Sequence, residues 1–499
     1  MPKFPILPLT VTRHQVVSAL EICLDMVHFK QILTQVLVLG LWHDNFVVGR
    51  LLACCATSNS GDLHYARLIF DYSANPTAFS YNTMIRGYSD SNTPIQSLHL
   101  FYAMRKKGIY ADKYTFTFVL KASARTTHFP QAWKLHAHTL KCGFRTDLHV
   151  QTSLLHMYTA FGRIESSKRV FDEMPQKSTV AWNAIISCYL KSNREVDSLI
   201  LFGEMVMEQM DMNDDTLVSV MRSCANLGAL VWGKCVHGFV IRRRASLSMG
   251  AELGTSLVHM YAKCGNLESG IRVFDEMDGP DVPAWTAMIG GLAMYGHGKE
   301  AVSLFDKMLQ QGLKPDSVTF TSVLHACTHS GMVRDGLRIF NSMKDVYGFY
   351  CRIEHFGTMV DLLGRAGYLE EAEQLVNLMP IQPNGVVWVS LLNACVINGE
   401  FGAAERIGNH ILGLGLQGLS GAFYVVMSNV YAKVEKWEEV KRMRETMIEK
   451  GLRKDHGHSL VEVNGRVHMF LVSDTTHPQT EEIYVILHGI TKEMAHFCY

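Results

Sequence analysis

The sequence predicts an all-α fold, a right-handed superhelical solenoid of helix-turn-helix repeats that includes a short C-terminal β-hairpin segment. Three observations lead to this prediction. Sequence phrases return at a nearly constant spacing, each repeated unit carries the apolar pattern of two amphipathic helices, and proline is scarce at 13 of 499 residues. A chain of this length is also too long for one compact core, which favours a stacked array.

One aromatic-led phrase sets the register of the repeat. Tyr-Asn-Thr-Met-Ile at 81–85 returns as Trp-Asn-Ala-Ile-Ile at 182–186, as Trp-Thr-Ala-Met-Ile at 285–289 and more weakly at 388–392. The offsets are 101, 103 and 103 residues. Two other phrases return after 103 residues, namely 154–158 at 257–261 and 170–174 at 273–277. Three independent phrases in one register make chance a poor explanation.

Each block of about 102 residues divides into three units, whose lengths are 35, 35–37 and 31–32 residues. The predicted organisation is a transit peptide or N-terminal arm at 1–13, degenerate repeats at 14–77, three triplets of repeats at 78–384, two extension repeats at 385–452 and a distinct segment at 453–499. The first twenty residues contain no Asp or Glu, which is typical of a transit peptide but equally of an ordinary N-terminal arm.

A single unit shows the pattern of two helices. In the unit 282–316, we expect a first helix over about 285–295, a break at Gly296 and Gly298, and a second helix over about 299–311. The second helix has apolar residues at i, i+3, i+4 and i+7. One such hairpin cannot bury its apolar face alone, so neighbouring hairpins must stack and leave an extended concave groove.

Composition and motifs exclude several classes of function. Net charge is zero, which argues against holding nucleic acid by charge alone. The longest apolar run, around 32–42, is too short to span a membrane. No two of the 12 cysteines are three residues apart, and no His is followed two residues later by Glu, so the zinc-deaminase pattern is absent. We therefore expect no catalytic residues, no metal, no cofactor and no membrane association.

The segment beyond 455 has a different pattern. Two β-type runs, 459–463 and 466–472, flank Asn464 and Gly465, and such a pair around Asn-Gly predicts a hairpin with a type I′ turn. The residues that follow are expected to open a last short helix at about 481–484.

These lengths and phrases resemble the plant pentatricopeptide repeat family, in its subclass of alternating long, short and standard repeats. The phrases that carry the resemblance are Phe-Asp-Glu-Met-Pro at 171–175, Tyr-Ala-Lys-Cys-Gly at 261–265, Gly-Leu-Lys-Pro-Asp at 312–316 and the run at 359–367. Residues 385–452 resemble the two C-terminal extension repeats of that subclass. The segment from 455 resembles the start of the deaminase-like domain found in many relatives, but the sequence ends at Tyr499 without the deaminase motifs.

The resemblance implies a code in which the fifth and last residues of each repeat read one RNA base. The implied pairs are Asn82 with Asp112 for uracil, Thr117 with Asp147 for guanine, Thr152 with Ser178 for adenine, Asn183 with Asn213 for a pyrimidine, and Thr255 with Asp281 and Thr286 with Asp316 for guanine. Val218 with Gly250 offers no polar reader, and Thr321 with Arg352 and Gly357 with Asn384 are not decoded. The implied target is 5′-U-G-A-Y-N-G-G-N-N. A competing interpretation is that these side chains only cap helices.

The resemblance implies a site-recognition factor for organellar C-to-U RNA editing that binds single-stranded RNA and recruits a deaminase in trans, with 385–499 as the docking surface. The expected compartment is the mitochondrion, with the chloroplast as the alternative. Two other functions stay open. One is an RNA stability, splicing or translation factor, and the other is a peptide-binding scaffold of the tetratricopeptide type, which the unequal repeat lengths disfavour.

Overall fold

A computed structural model describes residues 13–23, 25–58, 60–126, 129–243, 250–415, 419–452, 457–463, 466–471 and 475–497. The chain divides into two units, Met1–Ser219 and Val220–Tyr499. Apart from Arg13, the transit peptide or arm expected at 1–13 lies outside the described residues, as does the turn expected at Asn464 and Gly465.

The first unit consists of helices in hairpin pairs. Its elements are α1 (Arg13–Glu21), α2 (Met26–Val38), a 3₁₀ turn (Leu41–His43), α3 (Asn45–Thr57), α4 (Leu63–Tyr72), α5 (Ala78–Asp90), α6 (Ile95–Lys106), α7 (Lys113–Ala124), α8 (Phe129–Lys141), α9 (Leu148–Ala160), α10 (Ile164–Asp172), α11 (Thr179–Lys191) and α12 (Glu195–Met207). Helix α13 (Asp214–Leu227) crosses the division between the units. Consecutive odd-numbered helices from α3 to α11 contact each other, as the stacking of hairpins requires.

The second unit continues the same pattern. Its elements are α14 (Leu230–Arg243), α15 (Ala251–Lys263), α16 (Leu267–Asp275), α17 (Val282–Met294), α18 (Gly298–Gln310), α19 (Ser317–His329), α20 (Val333–Asp345), α21 (Ile353–Arg365), α22 (Leu369–Asn377), α23 (Gly385–Ile397), α24 (Phe401–Gly413), α25 (Gly421–Lys433), α26 (Trp437–Glu449), β1 (His458–Val463), β2 (Arg466–Leu471) and α27 (Thr480–Phe497). Consecutive odd-numbered helices from α15 to α25 are again in contact. The expected helical repeats and two-stranded sheet are therefore confirmed.

Edge-to-face aromatic pairs explain why two of the sequence phrases recur. The rings of Phe171 and Trp182 have centroids 4.7 Å apart at 75°, and those of Phe274 and Trp285 are 5.0 Å apart at 84°. Each pair joins the second helix of one hairpin to the first helix of the next. Such pairs contribute about 0.5–1.5 kcal/mol beyond the burial of their area. The phrases therefore recur because they form the joint between hairpins.

A histidine–tyrosine pair also recurs, once in each unit. The Nδ1 atom of His136 lies 2.7 Å from the hydroxyl of Tyr158, and that of His237 lies 2.8 Å from the hydroxyl of Tyr261. Both ring pairs have centroids 5.5 Å apart at 71°. Burial lowers the pKa of both histidines, so the folded protein favours their neutral form.

The helix ends in the unit 282–316 differ from the sequence-based expectation. Helix α17 begins at Val282, three residues before Trp285, because the Asp281 side chain caps it and Pro283 is tolerated in the first turn. Gly296 has a φ of 74° and, as expected, lies in the turn between the two helices. Gly298 is instead the first residue of α18, and a Cβ there would collide with the Ser330 side chain. Its role is close packing rather than helix breaking.

The C-terminal segment forms an antiparallel pair of strands, in which His458 lies opposite Leu471 and Val463 opposite Arg466. The Glu462 carboxylate accepts a hydrogen bond of 2.9 Å from the backbone N–H of Val231, in the first turn of α14. The helix expected to be short, α27, is 18 residues long. Over the described part of the chain, no helix combines the length and apolar character needed to cross a membrane.

Candidate nucleic-acid interface

In each odd-numbered helix from α5 to α23, three positions share one face of that helix. Counting from the first residue of each helix, these are the second, fifth and ninth positions, which are spaced i, i+3 and i+7 and therefore share a helix face. In α5 they are Phe79, Asn82 and Arg86, and all three line one cavity. The expected base-reading residues thus lie beside an aromatic ring and a cation.

That cavity, which we call the first cavity, has a volume of about 530 Å³ and lies among α3, α5 and α7. Asn82 Nδ2 donates to both carboxylate oxygens of Asp112, at 3.0 and 3.1 Å. The Thr115 hydroxyl donates to Asn82 Oδ1 at 2.6 Å. The two expected readers are therefore in direct contact, and the neighbouring threonine fixes the orientation of the amide. One Asn82 amide hydrogen and lone pairs of Asp112 are left for a ligand.

The same arrangement recurs in α11. Asn183 Nδ2 donates to Asn213 Oδ1 at 2.7 Å, and the Thr216 hydroxyl donates to Asn183 Oδ1. Asn213 Oδ1 also accepts from the Thr216 backbone N–H at 3.0 Å. Two pairs that were implied only by resemblance are thus brought together by the fold.

Capping and base reading are compatible in these pairs. Asp112 Oδ1 accepts from the Thr115 backbone N–H at 2.8 Å and so caps α7. The last residues that cap the following odd-numbered helix with their side chains in the same way are Asp147, Ser178, Asp281, Asp316 and Asn384. Each cap uses a single side-chain oxygen, and that of Asp147 accepts from two backbone N–H groups. The second polar atom of each carboxylate or amide, and the hydroxyl hydrogen of Ser178, stay available. Helix capping, the competing interpretation, therefore does not prevent these side chains from forming hydrogen bonds with a base.

The fifth-position threonines are held differently. The hydroxyls of Thr117, Thr152 and Thr321 each donate to the backbone carbonyl four residues earlier, at 2.7, 2.7 and 2.9 Å. Their oxygens therefore keep only lone pairs for a ligand. Thr286 lies 2.7 Å from the Thr319 hydroxyl, which donates to Asp316 at 2.8 Å, so a bridge replaces a direct contact.

Thr255 is a further exception. Its hydroxyl is buried and makes no hydrogen bond within the described residues. A buried hydroxyl of this kind gains free energy from any polar group that reaches it.

The second position was missed by sequence reasoning. Apolar side chains that are more than half exposed stand there in six odd-numbered helices: Phe46, Phe79, Tyr114, Val180, Val318 and Val386. Helical periodicity assigns such residues to the core, but the fold leaves them on the open face. Their recurrence three residues before the reading position was the signal that could have identified them. Flat or apolar side chains at this spacing can stack on nucleobases.

The ninth position carries basic side chains in most helices. The exposed residues there are Arg86, Lys121 and His156 in the first unit, and Arg222, His259 and His325 in the second. Lys121 is paired with Asp90 at 2.6 Å. Burial lowers the pKa of each of these histidines, so their rings favour the neutral state. Of these six residues, Arg86, Lys121 and Arg222 therefore carry positive charge beside the reading positions of their helices.

The described residues include no group of three or more His, Cys, Asp or Glu side chains that could hold a metal ion. The nearest approach is a pair, in which His477 Nε2 lies 2.9 Å from His468 Nδ1 beside the ring of Phe470.

Family models match much of the chain. The PPR repeat family matches 76–125 and 280–329, the PPR repeat matches 152–178, 180–210, 255–279, 318–346 and 354–381, and the E motif matches 415–462.

Similar proteins are known in Arabidopsis thaliana. The chain is 36% identical over 461 residues to the pentatricopeptide repeat-containing protein CRR2, chloroplastic, covering 91% of this chain and 69% of that protein. It is also 36% identical to At5g43790, over 91% of this chain and 99% of that protein, and to At1g59720, chloroplastic/mitochondrial, over 94% and 76%. A solved structure, the protein PPR10 in complex with an 18-nt psaJ RNA element, is similar with a TM-score of 0.47 and 16% identity, over 88% of this chain and 69% of that one.

Proposed function

Because the chain belongs to the pentatricopeptide repeat family, we propose that it binds single-stranded RNA in a sequence-specific manner and directs C-to-U editing of an organellar transcript. The observation that carries the proposal is the contact between the fifth residue of a repeat and its last residue, as in Asn82 with Asp112. Two polar side chains held together beside exposed apolar side chains can hydrogen-bond a base edge while its faces are stacked.

The chemistry of the first cavity supports uracil as its ligand. The remaining amide hydrogen of Asn82 can donate to a uracil carbonyl, and the free lone pairs of Asp112 can accept from the uracil N3–H. Arg50 and Arg86 line the same cavity and supply positive charge for the phosphates of the strand. The remaining pairs extend the proposed target to 5′-U-G-A-Y-N-G-G-N-N.

The editing role is the finer part of the proposal. It is supported by the E motif at 415–462 and by the resemblance of 385–499 to the extension of editing factors. These 499 residues include no Cys-x-x-Cys and no His-x-Glu. We propose that a second protein supplies the deaminase. The surface of 385–499 would bind that protein. The proposed compartment is the mitochondrion, and the names of the relatives support an organelle and include the chloroplast.

Sequencing of organellar RNA from a plant line that lacks the protein tests the editing role. We expect one or a few cytidines to remain unedited, downstream of a sequence that fits the proposed target. The alternative, an RNA stability, splicing or translation factor, predicts normal editing together with missing transcript ends, unspliced RNA or reduced protein. Complementation with a chain that lacks 385–499 should leave RNA binding intact but should not restore editing. Restored editing would contradict the proposed docking role of that segment.

A further inference from the structure

A second cavity lies among α19, α21 and α23 in the second unit, with a volume of about 470 Å³. It is lined by the same kinds of positions as the first cavity, including Thr321, Gly357 and Asn384. The repeat at 353–384 has no fifth-position reader, because Gly357 stands there. The family code therefore assigns no base to it, although the cavity is present.

Two hydroxyl groups that line the second cavity are available to a ligand only as acceptors. The hydroxyls of Thr321 and Thr358 donate to the backbone carbonyls of Ser317 and Glu354, each at 2.9 Å. Both oxygens therefore have only lone pairs left for a ligand. These hydroxyls favour a ligand that presents donors, while the Asn384 amide, whose oxygen accepts from the Val387 backbone N–H, keeps its N–H groups for one carbonyl oxygen.

Two carboxylates reinforce this bias. Glu354 stands at the second position of α21, where α5 carries Phe79, and Asp361 stands at the ninth, where α5 carries Arg86. Asp361 accepts from Arg365 Nε at 2.9 and 3.0 Å. Within the described residues, Glu354 makes no ion pair through its side chain and is exposed. Asp361 thus has the opposite charge to Arg86 of the first cavity, and Glu354 places a negative charge where that cavity has the uncharged ring of Phe79.

Gly357 leaves room between the two carboxylates. Glu354, Gly357 and Asp361 are spaced i, i+3 and i+7, so they share the face of α21 that lines the cavity. A Cβ added at Gly357 would touch only Val387, at an ordinary distance of 3.7 Å. A side chain would therefore fit at this position, and the space that it would fill is open to a ligand.

We propose that the second cavity binds a guanine base, with Glu354 and Asp361 accepting hydrogen bonds from its N1–H and N2 amino donors. This assignment rests on the proposed RNA binding and makes the ninth base of the target a guanine. Among the four bases, guanine alone places two neighbouring donor groups on its Watson–Crick edge. Adenine and cytosine place a ring acceptor beside the amino group, and uracil flanks its single donor with carbonyls, so both arrangements point lone pairs at a carboxylate.

Equilibrium binding of the full chain to four RNAs, identical except for G, A, C or U at the ninth base, tests the proposal. We expect the guanine RNA to bind about 5- to 150-fold more tightly than the others, which is the discrimination that a good pair of hydrogen bonds to a base provides. Glu354→Gln and Asp361→Asn keep the shape and remove the charge, and we expect each to reduce the preference. Glu370→Gln, on α22 outside the cavity, is the matched control and should leave it unchanged.

A variant that acquires a new base preference must be folded, so it shows that a loss of preference in the other variants is not caused by unfolding. Gly357→Asn would place an amide side chain opposite Asn384 and so produce a pair like that of Asn183 with Asn213. The preference at the ninth base should then move from guanine to a pyrimidine. A flat preference at the ninth base, with a preserved preference for uracil at the first base, would overturn this inference alone. Equal binding of the target and of a scrambled RNA would instead overturn the proposed RNA reading.

Discussion

The two cavities occupy equivalent places in their repeats but have opposite chemistry. The first is flanked by Phe79, Tyr114 and Arg86 and has a bonded amide–carboxylate pair at its centre. The second has Glu354 and Asp361 at the corresponding positions and a glycine at its centre. We therefore propose that the backbone fixes where a base can be bound, and that three side chains on one helix face determine which base is bound and how tightly.

The two cavities should differ most in how much RNA affinity is lost when the side chain that stacks on the base is removed. Tyr114→Ala removes an exposed ring from the first cavity and should weaken binding of the target RNA by about 1–3 kcal/mol, the contribution of one stacked base. Val386→Ala removes a smaller, non-aromatic side chain from the second cavity and should cost clearly less. Fluorescence anisotropy with labelled target RNA measures both. Equal losses would show that the second position does not act by stacking.

Exchange of the last residues should exchange base preferences. Asp112→Asn keeps the cap of α7, because Asn and Asp cap helices equally well, and converts the pair to the Asn–Asn type. Its preference at the first base should move from uracil towards cytosine by about 1–3 kcal/mol. Asn213→Asp should move the fourth base towards uracil. Melting temperatures near that of the parent chain would establish that both variants fold. If the preferences stay unchanged in these folded variants, the last residues act only as caps.

The fold was predictable from the sequence because each phrase that recurs makes a repeated contact. Phe171, Trp182 and their equivalents 103 residues later form the joints between hairpins, so packing required them at a constant spacing. The expected reading pairs Asn82 with Asp112 and Asn183 with Asn213 lie within hydrogen-bond distance in the fold, although their role in reading bases remains a prediction. Their direct hydrogen bonds, and the threonine that orients each amide, depend on distances across two helices that a linear pattern does not contain.

The exposed apolar residues at the second positions and the second cavity were also not predictable, because both depend on how neighbouring helices stack. Val318 and Val386 have the spacing of core residues, and only the stacking of helices decides which apolar stripe stays open. Gly357 removes the side chain by which the repeat would have been decoded. Glu354 and Asp361 stand at positions to which the family code assigns no base-reading role, so only the shape of the cavity connects them with a ligand.

The salt dependence of RNA affinity should differ between variants of the two cavities by less than the base preferences do. Arg86→Gln should reduce the slope of log affinity against log salt by about one, if its guanidinium contacts a phosphate. Asp361→Asn removes a negative charge and should leave that slope unchanged or slightly steeper. Affinities of the folded variants between about 50 and 200 mM salt measure the slopes. If Arg86→Gln leaves the slope of log affinity against log salt unchanged, Arg86 does not bind a phosphate of the RNA.

The smallest expected effect is that of acid pH, which should lower the free energy of unfolding rather than RNA affinity. Burial lowers the pKa of His136 and His237 in the folded protein, so the unfolded chain binds more protons once the pH falls below about 6.5. The free energy of unfolding should therefore be highest above that pH and fall on acidification. His237→Gln cannot take up the proton, so its thermal midpoint should fall less between about pH 7.5 and 5.0. An identical acid dependence would mean that other groups cause it.

Base-by-base reading is best tested by the affinity of the full chain for an RNA that carries 5′-U-G-A-Y-N-G-G-N-N, against the same RNA with the first uracil replaced and against a scrambled RNA. We expect tight binding of the first, a loss of about 1–3 kcal/mol for the single replacement and a larger loss for the scrambled strand. Equal affinity for all three RNAs would refute the claim that paired side chains on these helices read the base sequence.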